Sequence, residues 1–185
     1  MVVILASSSP RRKELLARII PEFDCQAADI DESIRKGQTP IDYVQEMAER
    51  KAFVIHQKNP NALIIACDTI VALEHEIFGK PKDRKAAYTM LKKLSGCTHQ
   101  VLTSVVIRKG SEKTSFLSTS EVTFFPLSEK ELVHYLATDE YKDKAGAYGI
   151  QGAGALLVKS IQGDYYSIMG LPIAQLSRKL THYES

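Results

Sequence analysis

The chain has 185 residues, 44% hydrophobic and 25% charged, which excludes disorder as its main state and fits one globular domain spanning residues 1–185. Twenty-four Lys and Arg against 22 Asp and Glu leave a net charge of +2, too even a balance to grip DNA or an anionic membrane through a global field. No apolar run approaches the ~20 residues of a membrane span, the N-terminus lacks the basic start of a signal peptide, and three cysteines without a C-x-x-C pair give neither a disulfide framework nor a zinc cluster, so a reducing cytoplasm is the expected compartment.

In chain order, Val2–Ala6 reads as a strand buried on both faces, because it is continuously apolar. Ser9 and Pro10 are the N-cap and first residue of a helix expected to run to Ile20. A second helix is expected from Thr39-Pro40 to Gln57, with the stripe Ile41, Val44, Ala48, Ala52 and Ile55. Ala62–Leu73 is apolar except at Asp68 and Thr69, and is read as two strand pieces joined there. Glu74-His75-Glu76 turns into Ile77-Phe78. Asp83 caps a third helix ending near Ser95, with Gly96 behind it. Gln100–Arg108 and Lys113–Phe125 form a hairpin. The S-x-x-E box at Ser128–Glu131 opens a helix to Ala137. Ala155–Ile161 and Tyr165–Ile168 read as a late hairpin, and Pro172 opens a closing helix. Strands and helices interleave, so the predicted class is α/β: a mixed twisted sheet with flanking helices.

Polar residues set where packing wants apolar ones carry the functional signal. At about 100° per residue, Arg12 lies in line with Leu16 and Ile19, while Arg11 projects about 110° away. An inward Arg beside the N–H groups of a helix start makes an anion site, with Ser7, Ser8 and Ser9 as further donors. A solvated basic turn has the same sequence. Lys51 lies about 60° from the centre of the second helix's stripe, where a lysine either snorkels to water or faces a cleft. Asp68 is the sharpest residue, since a lone buried carboxylate needs a partner, a metal or a proton; a surface turn with Thr69 is the alternative.

Asp29, Asp31 and Glu32 form an acidic cluster suited to a hard cation or to plain solvation. Gly79-Lys80-Pro81-Lys82 puts two cations on a stiff loop. The four glycines between Gly146 and Gly154 would allow backbone to approach a ligand closely. Cations, a helix start and a few carboxylates suit a polyphosphate substrate with a divalent metal.

Seven segments, in order, resemble the Maf family: Ser7-Ser8-Ser9-Pro10-Arg11-Arg12, Asp31-Glu32, Lys51-Ala52, Cys67-Asp68-Thr69, Gly79-Lys80-Pro81, Ala145–Gly152 and Asp164–Pro172. The resemblance implies a nucleoside triphosphate pyrophosphatase. It also implies two lobes around a deep cleft, in the architecture of the inosine triphosphate pyrophosphatases. Arg11, Thr69 and Gln151 match the branch acting on dTTP and UTP, and are the implied specificity residues. The implied machinery is Asp68 as general base, Glu32 with Asp68 as ligands of Mg²⁺ or Mn²⁺, and Ser7, Arg12, Lys51 and Lys80 on the phosphates. The expected partner is the nucleotide, with no membrane and no nucleic acid; a homodimer and a monomer stay open. Two rivals remain. One is a phosphatase with Asp68 as nucleophile, which lacks the D-x-D pattern because residue 70 is Ile. The other is a non-catalytic nucleotide- or nucleic-acid-binding regulator of septation.

Overall fold

A computed structural model of the protein describes residues 1–183. The first strand, β1 (Val3–Leu5), leads into α1 (Pro10–Leu16), β2 (Asp24–Cys25), α2 (Pro40–Lys58), β3 (Leu63–Leu73) and β4 (Glu76–Phe78). Then come α3 (Arg84–Leu94), the hairpin β5 (Thr98–Lys109) and β6 (Glu112–Phe124), and α4 (Glu129–Leu136). After two 3₁₀ turns, Ala145–Ala147 and Gly152–Leu157, the chain closes with β7 (Val158–Gln162), α5 (Tyr165–Met169) and α6 (Ile173–Leu180).

These strands form one mixed sheet in the order β2-β1-β3-β5-β6-β7, with β4 on the far half of β3. β1 runs parallel to both β2 and β3, and the other pairs are antiparallel. The α/β prediction with a mixed sheet holds. No helix among the described residues is long and apolar enough to cross a membrane, and the three cysteines are free thiols.

Ala62–Leu73 departs from the sequence reading. It is a single strand, paired with β5 without interruption from Ile64 to Ala72. Its other edge is shared, by β1 at Leu63–Ile65 and by β4 at Val71–Leu73. Between them, at residues 66–70, that edge has no strand partner among the described residues. The interruption by Asp68 and Thr69 marks a gap beside the strand, not a break in it.

Two further elements differ. The first helix ends at Leu16 and tightens through Ala17–Ile19 by i→i+3 bonds such as Arg18 N–H to the Leu15 carbonyl. Pro21 then stops any continuation, because the residue before a proline, Ile20, avoids the α conformation. The late hairpin is a 3₁₀ turn and a strand followed by a helix. Asp164 caps α5 by accepting from Tyr166 N–H at 2.9 Å, and Gly170, at φ 113°, ends it. A cap at one end and a glycine at the other outweigh the β-propensity of two tyrosines.

The core divides across the gap. Leu5, Leu15, Ile65, Cys67, Val105 and Leu176 pack on one face of the near lobe, and Ile4, Ala48, Ala52, Ile55 and Ile64 on the other. Val71, Phe78, Leu91, Phe124, Leu136 and Tyr148 fill the far lobe. His99 lies in the far lobe edge-on to Phe124 and Tyr148, 1% exposed, with Nε2 2.7 Å from the Tyr148 hydroxyl. Burial lowers its pKa to about 4, so the folded protein holds it neutral where the unfolded chain protonates it. The folded pKa is depressed, so stability from this group is full above the unfolded pKa near 6.5 and falls as pH drops toward 4. In urea titrations, the stability advantage of the parent over His99→Gln should shrink by up to about 3 kcal/mol between pH 7 and pH 4; a pH-independent advantage would contradict this account.

Candidate active site

The gap on β3 opens into a cleft of about 1130 Å³ between the lobes. Side chains alternate along a strand, so the two polar residues in the gap serve opposite faces. Asp68 faces α2 and meets Lys51; Thr69 faces α1 and meets Arg12.

On the α2 side, Lys51 Nζ donates to Asp68 Oδ1 at 2.6 Å and contacts Glu32 Oε1 at 2.7 Å. The Lys51 and Asp68 side chains are each 12% exposed, and Glu32 is 49% exposed. Lys51 does not snorkel. Tyr43 and Met47 join the buried face of α2, while Ile41 leaves it at 47% exposure. That exchange turns the centre of the face about 40° toward Lys51. Burial works against the Lys51 charge, but Asp68 and then Glu32 more than offset it and hold its pKa above the usual lysine value. Burial likewise opposes ionisation of Glu32, but the bond and charge of Lys51, with Lys80 and Arg12 behind it, hold its pKa below the ordinary range.

The acidic cluster contributes only Glu32. The Asp31 carboxylate turns back to accept from the Ser33 N–H and hydroxyl, both at 2.9 Å, and Asp29 is exposed. The loop carrying Glu32 is pinned to α2 by two bonds absent from the sequence reading. Tyr43 Oη donates to the Glu32 carbonyl at 2.8 Å, and Arg50 Nη1 donates to the Asp31 carbonyl at 2.8 Å. Burial, then Asp68, Glu32 and Asp31, push the Tyr43 pKa up to about 12, so this donor keeps its proton.

On the α1 side, Arg12 enters the cleft as its helical position predicts. Nε donates to the Gly170 carbonyl at 3.0 Å, Nη2 to Thr69 Oγ1 at 2.9 Å and Nη1 to Ser7 Oγ at 3.4 Å. Three of the five guanidinium N–H groups are thus engaged, and two are left for an anion. Ser7 Oγ also accepts from Ser9 N–H at 3.1 Å, so its own proton is available to the cleft. Arg11 and Gln151 line the same cleft without a hydrogen bond between them. Burial, then the Arg12 charge, lower the Arg11 pKa. Lys80 lies at the exposed mouth, and the Gly79 carbonyl beside it accepts from Gly146 N–H at 3.2 Å.

Two glycines of the Gly146–Gly154 segment serve internal packing. A Cβ on Gly154 would stand 2.0 Å from the Gly149 carbonyl oxygen, and one on Gly146 would stand 2.9 Å from Val71. The segment folds on itself and on β3, and presents Tyr148–Gln151 to the cleft. Sequence reading missed Lys142 and Lys144, which also line it. With these, seven Lys and Arg side chains face three Asp and Glu, a local excess hidden by the near-neutral total.

A family model described as Maf-like protein matches residues 2–183. The chain belongs to the Maf family. A Bacillus velezensis relative named dTTP/UTP pyrophosphatase is 48% identical over 181 residues, covering 98% of this chain and 96% of its own. A Lacticaseibacillus casei relative of the same name is 51% identical, covering 97% of each. The Staphylococcus aureus Ham1 protein shares the fold, at a TM-score of 0.56 and 15% identity over 99% of this chain and 100% of its own.

Removing one partner of a buried ion pair leaves the other uncompensated. Lys51→Met should therefore cost about 3 kcal/mol of stability, and adding Asp68→Asn should recover most of it. Glu32→Gln, half in water, should cost less than 1 kcal/mol by the surface-pair range of roughly 0–1. Urea unfolding of the parent and the three variants checks the order.

Proposed function

We propose that this protein hydrolyses nucleoside triphosphates at the α-phosphate, releasing a nucleoside monophosphate and pyrophosphate, with dTTP and UTP preferred. The observation that carries the reading is the Lys51-bridged pair of carboxylates, Asp68 and Glu32, set across a cation-lined cleft from Arg12 and Ser7. The names of the relatives point to the same chemistry.

Asp68 acts as the general base. Lys51 occupies its Oδ1, so the other oxygen takes the proton of the attacking water. The new bond forms between that water oxygen and the α-phosphorus. The bond from phosphorus to the bridging oxygen breaks, and pyrophosphate leaves with the electron pair. Arg12, the Ser7 hydroxyl and Lys80 neutralise the charge that develops on the phosphate oxygens. Lys51 holds Asp68 beside Glu32.

The donor set fits a divalent metal. Glu32, which gives one oxygen to Lys51, has a second as a hard ligand with Asp68 beside it, and Mg²⁺ commonly takes one or two carboxylates together with substrate phosphates. When bound, such an ion supplies charge neutralisation and polarisation of the phosphoryl oxygens. Arg11 and Gln151 take the base. An amide donates and accepts, matching the N3–H and O4 edge of uracil or thymine, while the donor-only guanidinium favours O4 over a cytosine amino group.

Four measurements test this assignment. Asp68→Asn, folded by circular dichroism, should lose about 10²–10⁴-fold in kcat, and the parent should release pyrophosphate and not orthophosphate from UTP. Glu32→Gln should raise the Mg²⁺ concentration giving half-maximal rate; an unchanged midpoint would remove Glu32 from the metal. Arg11→Ala should narrow the UTP-over-CTP ratio of kcat/KM about tenfold, whereas Arg12→Ala should slow all nucleotides together.

A further inference from the structure

The far side of Thr69 is polar where a core strand would be apolar. Thr103 and Ser167 are 0% exposed and Ser120 is 1% exposed, and none of the three lines the cleft. Thr103 Oγ1 donates to the Ser167 carbonyl at 2.8 Å and lies 2.8 Å from Thr69 Oγ1. Ser167 Oγ donates to the Asp164 carbonyl at 2.8 Å and lies 2.9 Å from Ser120 Oγ. Such groups are buried only when every one is paired.

Counting protons fixes the direction of each bond. Two oxygens 2.8 Å apart need one proton between them. The Ser167 carbonyl has none, so the Thr103 proton lies there. The contact between Thr103 and Thr69 then takes the Thr69 proton. Thr69 faces Arg12 with lone pairs alone, which is what Arg12 Nη2 requires at 2.9 Å. With its single proton turned inward, Thr69 has no donor for a nucleobase carbonyl.

We infer that Thr103 is a positioning residue for Arg12, acting through Thr69. Both ends of the guanidinium are held from α5 and its cap. Gly170 takes Nε directly; Ser167 takes Nη2 through Thr103 and Thr69. Ser120 and Asp164 in turn fix α5. Gly170 sits at φ 113°, where any other residue is strained, and a Cβ there would stand 3.3 Å from Arg12 Nε. The relay sets which two N–H groups of Arg12 are left for phosphate. It predicts that Thr103, which lies behind Thr69 and outside the cleft lining, acts on every nucleotide equally, as an aligner of the phosphate clamp.

The inference rests on Arg12 as a phosphate ligand, and steady-state kinetics with UTP, dTTP and CTP separate the two. Thr103→Val keeps the shape and removes the hydroxyl. It should raise KM about tenfold for all three nucleotides, leave their kcat/KM ratios unchanged, and be rescued by Thr103→Ser. In an Arg12→Ala background the same substitution should have no further effect on KM. If Thr103→Val proves unstable to urea, Thr69→Val provides the same readout from the cleft side. If Arg12→Ala raises KM and neither valine variant does, or if the effects of Arg12→Ala and Thr103→Val multiply, the relay is wrong. A Thr103→Val variant that changes the UTP-over-CTP ratio also overturns it, because Thr103 would then act on the base and not on the phosphate clamp. If Arg12→Ala itself leaves KM unchanged, the phosphate reading fails and the relay with it.

Discussion

A carboxylate on a central strand dictates the arrangement of the near lobe. Asp68 sits on β3 between residues that are almost entirely buried, where an isolated negative charge would cost several kcal/mol. Lys51 removes that penalty, and it reaches Asp68 only because α2 packs lengthwise on β3. The same ammonium draws in Glu32 from a loop without regular structure. One cation therefore orders two carboxylates, each too repulsive to stand beside the other unaided. Tyr43 and Arg50 reinforce the arrangement by holding the loop backbone to the same helix.

The alternation of a strand does the rest. Adjacent residues on β3 look in opposite directions, so Asp68 and Thr69 divide the cleft into a carboxylate side and a guanidinium side. The unpaired stretch of β3 lets both sides open into the same space. Opposite charges in one cleft would neutralise each other if they met, and here they are kept apart. The spacing here comes from the pleat of one strand.

Much of this was legible in the residues. Arg12 and Asp68 stood out because each breaks an apolar pattern, and the Ser9, Thr39, Asp83 and Ser128 caps are where the sequence puts them. The fold class followed from the interleaving of strands and helices. What escaped was contact between distant segments. Lys51 is marginal on a helix face drawn through Ile41, and close to its centre only once Tyr43 and Met47 complete that face. Thr103 carried the same signal as Asp68, a polar residue in a buried strand, but neutral hydroxyls are common enough in strands to pass unnoticed. The glycine-rich segment looked like a cradle for ligand, whereas Gly146 and Gly154 accommodate β3 and the segment's own backbone.

The way the strands cross between the lobes has a mechanical consequence. β3, β5 and β6, of 11, 12 and 13 residues, run unbroken from one lobe to the other. A hinge bends where a thin connection crosses, but here a three-stranded ribbon crosses, held by continuous ladders. Bending it would break those hydrogen bonds together, so the easy deformation is torsion of the ribbon about its long axis. Torsion rotates the walls past each other and changes their separation little. Access and release then fall to the Gly79–Lys82 turn at the rim, while the floor of the cleft keeps its shape.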